Sequence, residues 1–222
     1  MMLNTNEIRD KDISIKKLYE GVRLFRKQQY VEGQTLFLSL AQSQRPHSLF
    51  VTCCDSRLDP QLITTSKPGE LFTVRSIANI VPPFTLASEA DPVASALEYS
   101  LKILKIQNII ICGHSNCAGC KALWDNSSLK GLPHFKNWLG YSLRVKENVD
   151  QYLEENPEAK DDYPGLIEKY NVIEQLKHLL TYPDVKNALS TDSLRILGWY
   201  YRIDTGEIFS YDEESSSFIA IG

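Results

Sequence analysis

Two short clusters of residues that can bind a metal or carry charge each follow an apolar run of the chain. The first contains Cys53, Asp55 and Arg57, and the second contains His114 and Cys117. Two thiolates and one imidazole are donors that zinc favours, and three protein ligands leave a fourth position for water. The residue types therefore predict a zinc ion held by Cys53, His114 and Cys117.

Both clusters are predicted to lie at the carboxyl ends of parallel strands. Residues 109–111 are three isoleucines, and such a short β-branched run is typical of a buried parallel strand. Gly113 is predicted to let the backbone turn, and a helix is predicted to begin at Ala118. Open α/β sheets place their ligands at the carboxyl ends of their strands, so this arrangement favours a binding site.

The first cluster follows a strand predicted over residues 48–54. Side chains alternate between the two faces of a strand, so Cys53, Asp55 and Arg57 share one face if the strand continues. Cys54 then points to the opposite face. Only one of these two adjacent cysteines is therefore predicted to reach the metal.

The remaining cysteines leave one alternative open. Cys112 lies inside the predicted strand and Cys54 faces away, so both are expected to pack as small apolar side chains. Cys120 follows Cys117 by about one helical turn and could be an alternative ligand. A closed four-cysteine structural zinc site is therefore the main competing chemistry.

Asp55 and Arg57 bear on the choice between a catalytic and a structural zinc site. A structural site needs no carboxylate and guanidinium beside its ligands, whereas at a catalytic site Asp55 could accept a hydrogen bond from hydroxide on the metal. Arg57 would keep Asp55 ionised and oriented through a charge-assisted pair. The alternative is an aspartate that caps a turn next to an exposed arginine.

The sequence Cys-x-Asp-Ser-Arg that begins at Cys53, followed by the His-x-x-Cys that begins at His114, resembles the β-class carbonic anhydrases. Phe50 stands where the bicarbonate-regulated branch of that family has tryptophan, which favours the plant-like branch. The resemblance implies reversible hydration of carbon dioxide to bicarbonate and a proton, with Zn²⁺ as cofactor. Two alternatives stay open: hydrolysis of CS₂ or COS at the same zinc site, and a structural zinc-binding protein without turnover.

The resemblance also implies a substrate pocket and an oligomer. Gln44, Phe72 and Tyr99 match the family's substrate-binding residues by offset and type, and Ala118 stands where the family usually has glycine. In the family, several of these residues come from a neighbouring subunit. A homodimer or homotetramer is therefore the expected active form, with carbon dioxide and bicarbonate as its small-molecule substrates.

Length and composition favour a soluble cytoplasmic enzyme. A chain of 222 residues that is 43% hydrophobic can bury a sizeable core. Its 24 basic and 28 acidic residues give a net charge of −4, so no nucleic-acid partner is expected. No apolar run has membrane-spanning length, and the start of the chain is too polar for a secretory signal. Five cysteines, an odd number, argue against a disulfide framework and for a reducing compartment.

The alternation of strand and helix patterns predicts an α/β fold in a single domain, residues 1–222. Apolar spacing in residues 13–40 predicts two helices broken near Gly33, which belong to an N-terminal helical arm over residues 1–44. The sheet is predicted to have four parallel strands, an added antiparallel edge strand and helices on both faces. The strands are predicted over 48–54, 71–75, 109–111, 193–201 and 208–211, and the helices near Pro60 and over 88–105 and 164–180.

Overall fold

The computed structural model describes the backbone of residues 5–222 and the side chains of residues 13–125, 127 and 129–222. Contacts within the chain define two compact units, one that ends at Gln44 and one from Arg45 to Gly222. Residues 1–4 of the predicted arm lie outside the described residues. The organisation of residues 1–222 as one domain stays a prediction.

The N-terminal unit consists of three helices, α1 (Thr5–Lys27), α2 (Gln29–Glu32) and α3 (Gln34–Leu40). Gly33 separates α2 from α3, as the apolar spacing predicts, and a second break at Gln28 separates α1 from α2. The ring of Phe37 in α3 lies 5.6 Å from that of Phe25 and stacks at 5.2 Å on that of Tyr30. These aromatic pairs join the three helices.

The second unit is built on a sheet whose strands are β1 (Ser48–Cys53), β2 (Leu71–Ser76), β3 (Asn108–His114), β4 (Arg195–Tyr201), β5 (Ile208–Asp212) and β6 (Ser217–Ala220). Their order across the sheet is β2-β1-β3-β4-β5-β6. The first four strands pair in parallel, and β5 pairs antiparallel to β4, which confirms the predicted sheet. The edge strand β6 is one antiparallel strand more than the sequence pattern predicts.

The helices of the second unit are α4 (Pro60–Thr64), α5 (Pro92–Tyr99), α6 (Ala118–Trp124), α7 (Pro133–Leu139), α8 (Leu143–Glu155), α9 (Tyr163–Leu179) and α10 (Pro183–Ser190). The carboxylates of Asp59 and Asp91 cap α4 and α5, each directly before a proline. Because of this cap, the helix predicted over 88–105 begins later, and it ends in a π-helical turn, Ser100–Leu104. None of the helices that the structure describes is long and apolar enough to span a membrane.

Helices cover both faces of the sheet, as predicted. On one face, Leu49 of β1 belongs to an apolar cluster with Val93 of α5 and Val172 of α9. On the opposite face, Phe50 lies in a second cluster, which Ile63 of α4 packs against. Every residue of β1 is buried, which is typical of a parallel strand with both faces covered.

Gly113 does not turn the backbone, contrary to the prediction, because β3 continues through it to His114. A Cβ atom at Gly113 would lie 2.6 Å from Cγ2 of Val172 on α9. On β4, a Cβ atom at Gly198 would lie 2.8 Å from Cδ1 of Leu176 on the same helix. Glycine is needed at both positions because α9 lies close against the sheet.

Candidate metal centre

The carboxyl ends of β1 and β3 bring the two sequence clusters together. Parallel pairing of these neighbouring strands puts their last residues, Cys53 and His114, at the same edge of the sheet. Cys117 follows after a short loop and precedes the first turn of α6. Because β1 ends at Cys53, Asp55 and Arg57 lie in a loop and not on a continuing strand, so the predicted alternation of faces does not reach them.

Three buried side chains converge at this edge. The ligand atoms of Cys53, His114 and Cys117 all lie within 4.8 Å of one another, and the two sulfur atoms are 3.9 Å apart. Two thiolates on one tetrahedral zinc ion, with bonds of about 2.3 Å, would be separated by about 3.8 Å. The observed separation of the sulfur atoms therefore fits a shared zinc ion.

A hydrogen bond to the main chain fixes which ring nitrogen of His114 is available. Its Nδ1 lies 2.9 Å from the carbonyl oxygen of Ser115, which can only accept, so Nδ1 carries the proton. In the neutral ring, Nε2 then keeps its lone pair, and this buried atom has no hydrogen-bond partner among the described residues. Zinc-binding histidines have this arrangement, in which the other ring N–H donates to a carbonyl or carboxylate.

Without a bound metal, both thiols have raised pKa values. The hydrogen bond with Cys117, followed by burial, raises the pKa of Cys53 to about 12. The pKa of Cys117 is raised as well, first by its hydrogen bond with Cys120 and also by burial. Because the thiolate is the form that binds metal, a metal ion must displace these protons.

Asp55 and Arg57 form a two-pronged ion pair beside the three side chains. Nε and Nη2 of Arg57 donate to the two carboxylate oxygens at 2.9 and 2.7 Å, and its backbone N–H donates to Oδ1 at 2.9 Å. The hydrogen bonds from Arg57 hold the pKa of Asp55 well below its usual range. Oδ2 of Asp55 lies 3.9 Å from Nε2 of His114, so an ionised acceptor stands next to the ligand set.

The other cysteines lie outside this group. Cys112 is buried on the opposite face of the sheet and Cys54 is exposed. Cys120 is buried in the same apolar cluster as Cys53 and Cys117. Among the described residues, the convergent donor set consists of one histidine and two cysteines and does not include Cys120.

Phe72 and Tyr99 lie together but away from the ligand set of their own chain. Their ring centroids are 5.9 Å apart, and Tyr99 is 42% exposed. Phe72 pairs with Leu49, which is four residues before Cys53 on β1. Four residues of a strand span about 13 Å, so these two aromatic rings lie towards the opposite end of the sheet.

The other two predicted pocket residues are both exposed. Ala118 directly follows the metal-ligand candidate Cys117 and is the first residue of α6. Gln44 is the last residue of the N-terminal unit. Of the four predicted pocket residues, Ala118 is thus the one that adjoins the ligand set along the chain.

Two buried polar residues at this site were not predicted from the sequence. Glu168 of α9 accepts hydrogen bonds from the backbone N–H of Cys117 at 2.7 Å and from the hydroxyl of Tyr200 on β4 at 2.8 Å. Burial raises the pKa of Glu168 to about 7, although these two hydrogen bonds lower it. Its spacing of four residues from the core residue Val172 is a signal that could have singled it out.

Sequence comparisons agree on one family. The sequence model described as carbonic anhydrase matches residues 48–208. A carbonic anhydrase of Helicobacter pylori is 37% identical over 210 residues, which cover 93% of this chain and 94% of that protein. A carbonic anhydrase of Synechococcus elongatus is 36% identical over 204 residues, covering 91% of this chain and 73% of that protein.

Solved structures agree with the sequence comparisons. The β-carbonic anhydrase CcaA matches with a TM-score of 0.87 at 36% identity, covering 94% of this chain and 100% of that one. A tetrameric β-carbonic anhydrase of Sordaria macrospora matches with a TM-score of 0.69 at 26% identity, covering 92% of this chain and 96% of that one.

The fold and the donor set define a class of α/β protein with a Cys-His-Cys metal centre at the carboxyl edge of a parallel sheet. Within that class, the chain belongs to the carbonic anhydrase family, in its β-class. Zinc is the cofactor of this family, and the residues present fit it: two thiols of suitable separation and one imidazole nitrogen with its lone pair free.

Proposed function

We propose that this protein catalyses the reversible hydration of carbon dioxide to bicarbonate and a proton, with Cys53, His114 and Cys117 as the zinc ligands. The observation that supports this most is the convergence of two thiols and one imidazole nitrogen within 4.8 Å. The activity is that named for the relatives from Helicobacter pylori and Synechococcus elongatus.

The ligand residues set the charge of the site. Zinc, when bound, supplies a Lewis acid that lowers the pKa of water and so provides hydroxide near neutral pH. Cys53 and Cys117 bring two negative charges, which nearly cancel the charge of the ion. His114 would offer Nε2 to the ion, because its Nδ1–H is held by the carbonyl of Ser115.

Asp55 and Arg57 then act on the nucleophile. Asp55, whose Oδ2 lies 3.9 Å from Nε2 of His114, would accept a hydrogen bond from the attacking water or hydroxide and so direct its lone pair towards carbon dioxide. Arg57 keeps this acceptor ionised and in place through the two side-chain hydrogen bonds. The proton that the hydration releases would pass to solvent or buffer.

The active form that we propose is a homodimer or a homotetramer. Phe72 pairs with Leu49, about 13 Å along β1 from Cys53, and the ring of Tyr99 lies 5.9 Å from that of Phe72, so these two rings are placed away from the ligand set of their own chain, and those of a second chain could line its pocket. Together with Ala118 of the first chain, they would complete the substrate pocket, and the pocket role of Gln44 stays a prediction from the family resemblance. A relative from Sordaria macrospora is tetrameric. Sedimentation at the assay concentration tests this, and a fully active monomer would contradict it.

The location that we propose is the cytoplasm. All five cysteines are free thiols, which is the expected state in a reducing compartment. Phe50, where the regulated branch has tryptophan, supports an enzyme of the plant-like branch. Fractionation of the source cells and a search for bicarbonate inhibition would test these two proposals.

Stopped-flow measurement of carbon dioxide hydration tests the activity. The zinc-loaded protein should hydrate carbon dioxide, lose this activity with a chelator and regain it with zinc. Cys53→Ser should be inactive, whereas the control Cys112→Ser, on the opposite face of the sheet, should be active. Zinc-dependent hydrolysis of CS₂ or COS without hydration of carbon dioxide would show that the proposed substrate is wrong. Bound zinc without any turnover would show that the protein is not an enzyme for these substrates.

A further inference from the structure

The peptide group between Asn116 and Cys117 is held by a side chain at each of its two polar atoms. Its carbonyl oxygen, on Asn116, accepts a hydrogen bond of 3.0 Å from Nη2 of Arg57. Its N–H, on Cys117, donates a hydrogen bond of 2.7 Å to Oε1 of Glu168. Asn116 has a φ of 56°, in the left-handed region, which asparagine adopts more readily than most residues other than glycine.

Glu168 is itself fixed from a second direction. Its Oε2 accepts a hydrogen bond of 2.8 Å from the hydroxyl of Tyr200. Glu168 is 4% exposed and Tyr200 is 5% exposed, so water does not compete strongly for these bonds. The carboxylate thus ties α9 and β4 to the loop that carries Cys117.

We propose that Glu168 is a positioning residue for the metal, which acts through the backbone of Cys117 and is itself oriented by Tyr200. The orientation of the peptide group sets the direction in which the Cys117 side chain leaves the backbone, and so the place of its sulfur atom. This hydrogen bond is short, at 2.7 Å, and its acceptor is buried, so water does not compete strongly for it. This proposal rests on the proposed zinc centre.

The same helix supplies a matched control. Glu174 is also on α9 and is 5% exposed, similar to Glu168. Its carboxylate lies 3.4 Å from Nε2 of His178 and 3.7 Å from Nζ of Lys177, and it pairs with neither of the thiols. A change at Glu174 therefore removes an equally buried carboxylate from α9 and leaves the Cys117 amide bonded.

The experiment measures the release of zinc from the loaded protein to an excess of a coloured chelator. Glu168→Ala should release zinc about 10- to 100-fold faster, the usual effect of losing a residue that orients a metal ligand. Glu168→Gln keeps an acceptor oxygen for the Cys117 N–H and should lie between wild type and Glu168→Ala. Tyr200→Phe should change release in the same direction, whereas Glu174→Ala and Glu174→Gln should match wild type.

A spectroscopic measurement separates positioning from general destabilisation. In the cobalt-substituted protein, the thiolate-to-cobalt charge-transfer band reports the bond between the metal and the cysteine sulfur atoms. The band should shift in Glu168→Gln and Tyr200→Phe and stay unchanged in Glu174→Gln. If Glu168→Ala does not fold, these two conservative variants still decide the question.

The possible outcomes distinguish the two proposals. If zinc release and the cobalt band are the same in Glu168→Gln, Tyr200→Phe and wild type, the positioning role is wrong, although the zinc centre stands. The role is also wrong if the Glu174 variants change both readouts as much as the Glu168 variants do. If the wild-type protein binds no zinc, the proposed zinc centre is wrong, and this result is obtained without any of the variants.

Discussion

Replacement of Asp55 by asparagine tests whether the Asp55–Arg57 pair acts in catalysis. Asparagine has nearly the same shape as aspartate but carries no charge, and its amide N–H group cannot accept a hydrogen bond. In the present structure both carboxylate oxygens accept from Arg57, at 2.9 and 2.7 Å. The variant must therefore place an N–H group against a guanidinium donor, and it loses one of these two acceptors.

The expected effect follows from the loss of one hydrogen bond to a charged group. Such a bond contributes about 1.5–3 kcal/mol. If that contribution is made in the transition state, the rate falls by about 10- to 150-fold, at about 1.36 kcal/mol per decade. Asp55 is not among the three donors that converge on the metal position, so the zinc content should be unchanged.

The pH dependence gives a second expectation for this variant. Arg57 holds the pKa of Asp55 well below its usual range, and a carboxyl group with a lowered pKa stays ionised at every higher pH. The rate ratio between wild type and Asp55→Asn should therefore be constant across neutral and mildly acid pH. A ratio that approaches one as the pH falls would mean that Asp55 becomes protonated there, contrary to its bonding with Arg57.

The assay is stopped-flow hydration of carbon dioxide over a range of pH, with zinc measured in the same samples. Asp204→Asn is the control, because Asp204 forms the same two-pronged pair with Arg202, at 3.3 and 2.7 Å. Asp204→Asn should keep the wild-type rate. Wild-type rates in Asp55→Asn at full zinc content would refute a catalytic role for Asp55, and a loss of zinc from it would show that the residue acts on metal binding.

Three further predictions follow from the ligand set and the sheet. Cys117→Ser should lose zinc and Cys120→Ser should keep it by elemental analysis, and the reverse result would overturn the ligand assignment. Zinc affinity should fall as the pH falls, because both ligand thiols have raised pKa values and must lose their protons when zinc binds. Calorimetry in buffers of different ionisation enthalpy should find about two protons released per zinc. Gly113→Ala should destabilise the zinc-loaded protein by about 1–3 kcal/mol in urea unfolding, because the new methyl group would lie 2.6 Å from a buried valine side chain. The control Gly140→Ala, where nothing lies within 4 Å, should not be destabilised.

The zinc ligands could be predicted from the sequence because the information about them is local. Each cluster follows an apolar run, and parallel strands that are neighbours end at the same edge of a sheet. The prediction therefore needed only that β1 and β3 be adjacent and parallel, which they are. Asp55 and Arg57 are two residues apart, so their pairing was also within reach of the sequence.

The role of Gly113 could not be predicted in the same way. Glycine before a histidine suggested a turn, whereas the structure requires glycine there because Val172 of α9 occupies the space of a side chain. Nothing near Gly113 in the sequence indicates which residue of a helix more than fifty positions later will lie against it. The edge strand β6 was missed for a different reason, since four residues, Ser217–Ala220, are too few to establish an alternating pattern.

Arg57 and Glu168 both hold the Asn116–Cys117 peptide group, but only Arg57 belongs to a local sequence motif that makes its role predictable. Arg57 donates through Nη2 to Oδ2 of Asp55 and to the carbonyl of Asn116, so one guanidinium group serves both the ionised acceptor and the loop of a ligand. Its loss should therefore have two effects, on rate and on zinc affinity, whereas Asp55→Asn should affect the rate alone. Glu168 makes no contact with Asp55 among the bonds that the structure describes, and its loss should affect zinc affinity first. Experiments on the two residues can therefore distinguish the two hydrogen bonds on this peptide group. The bond from Arg57 belongs to the local sequence motif, whereas the bond to Glu168 exists only because α9 packs against β4.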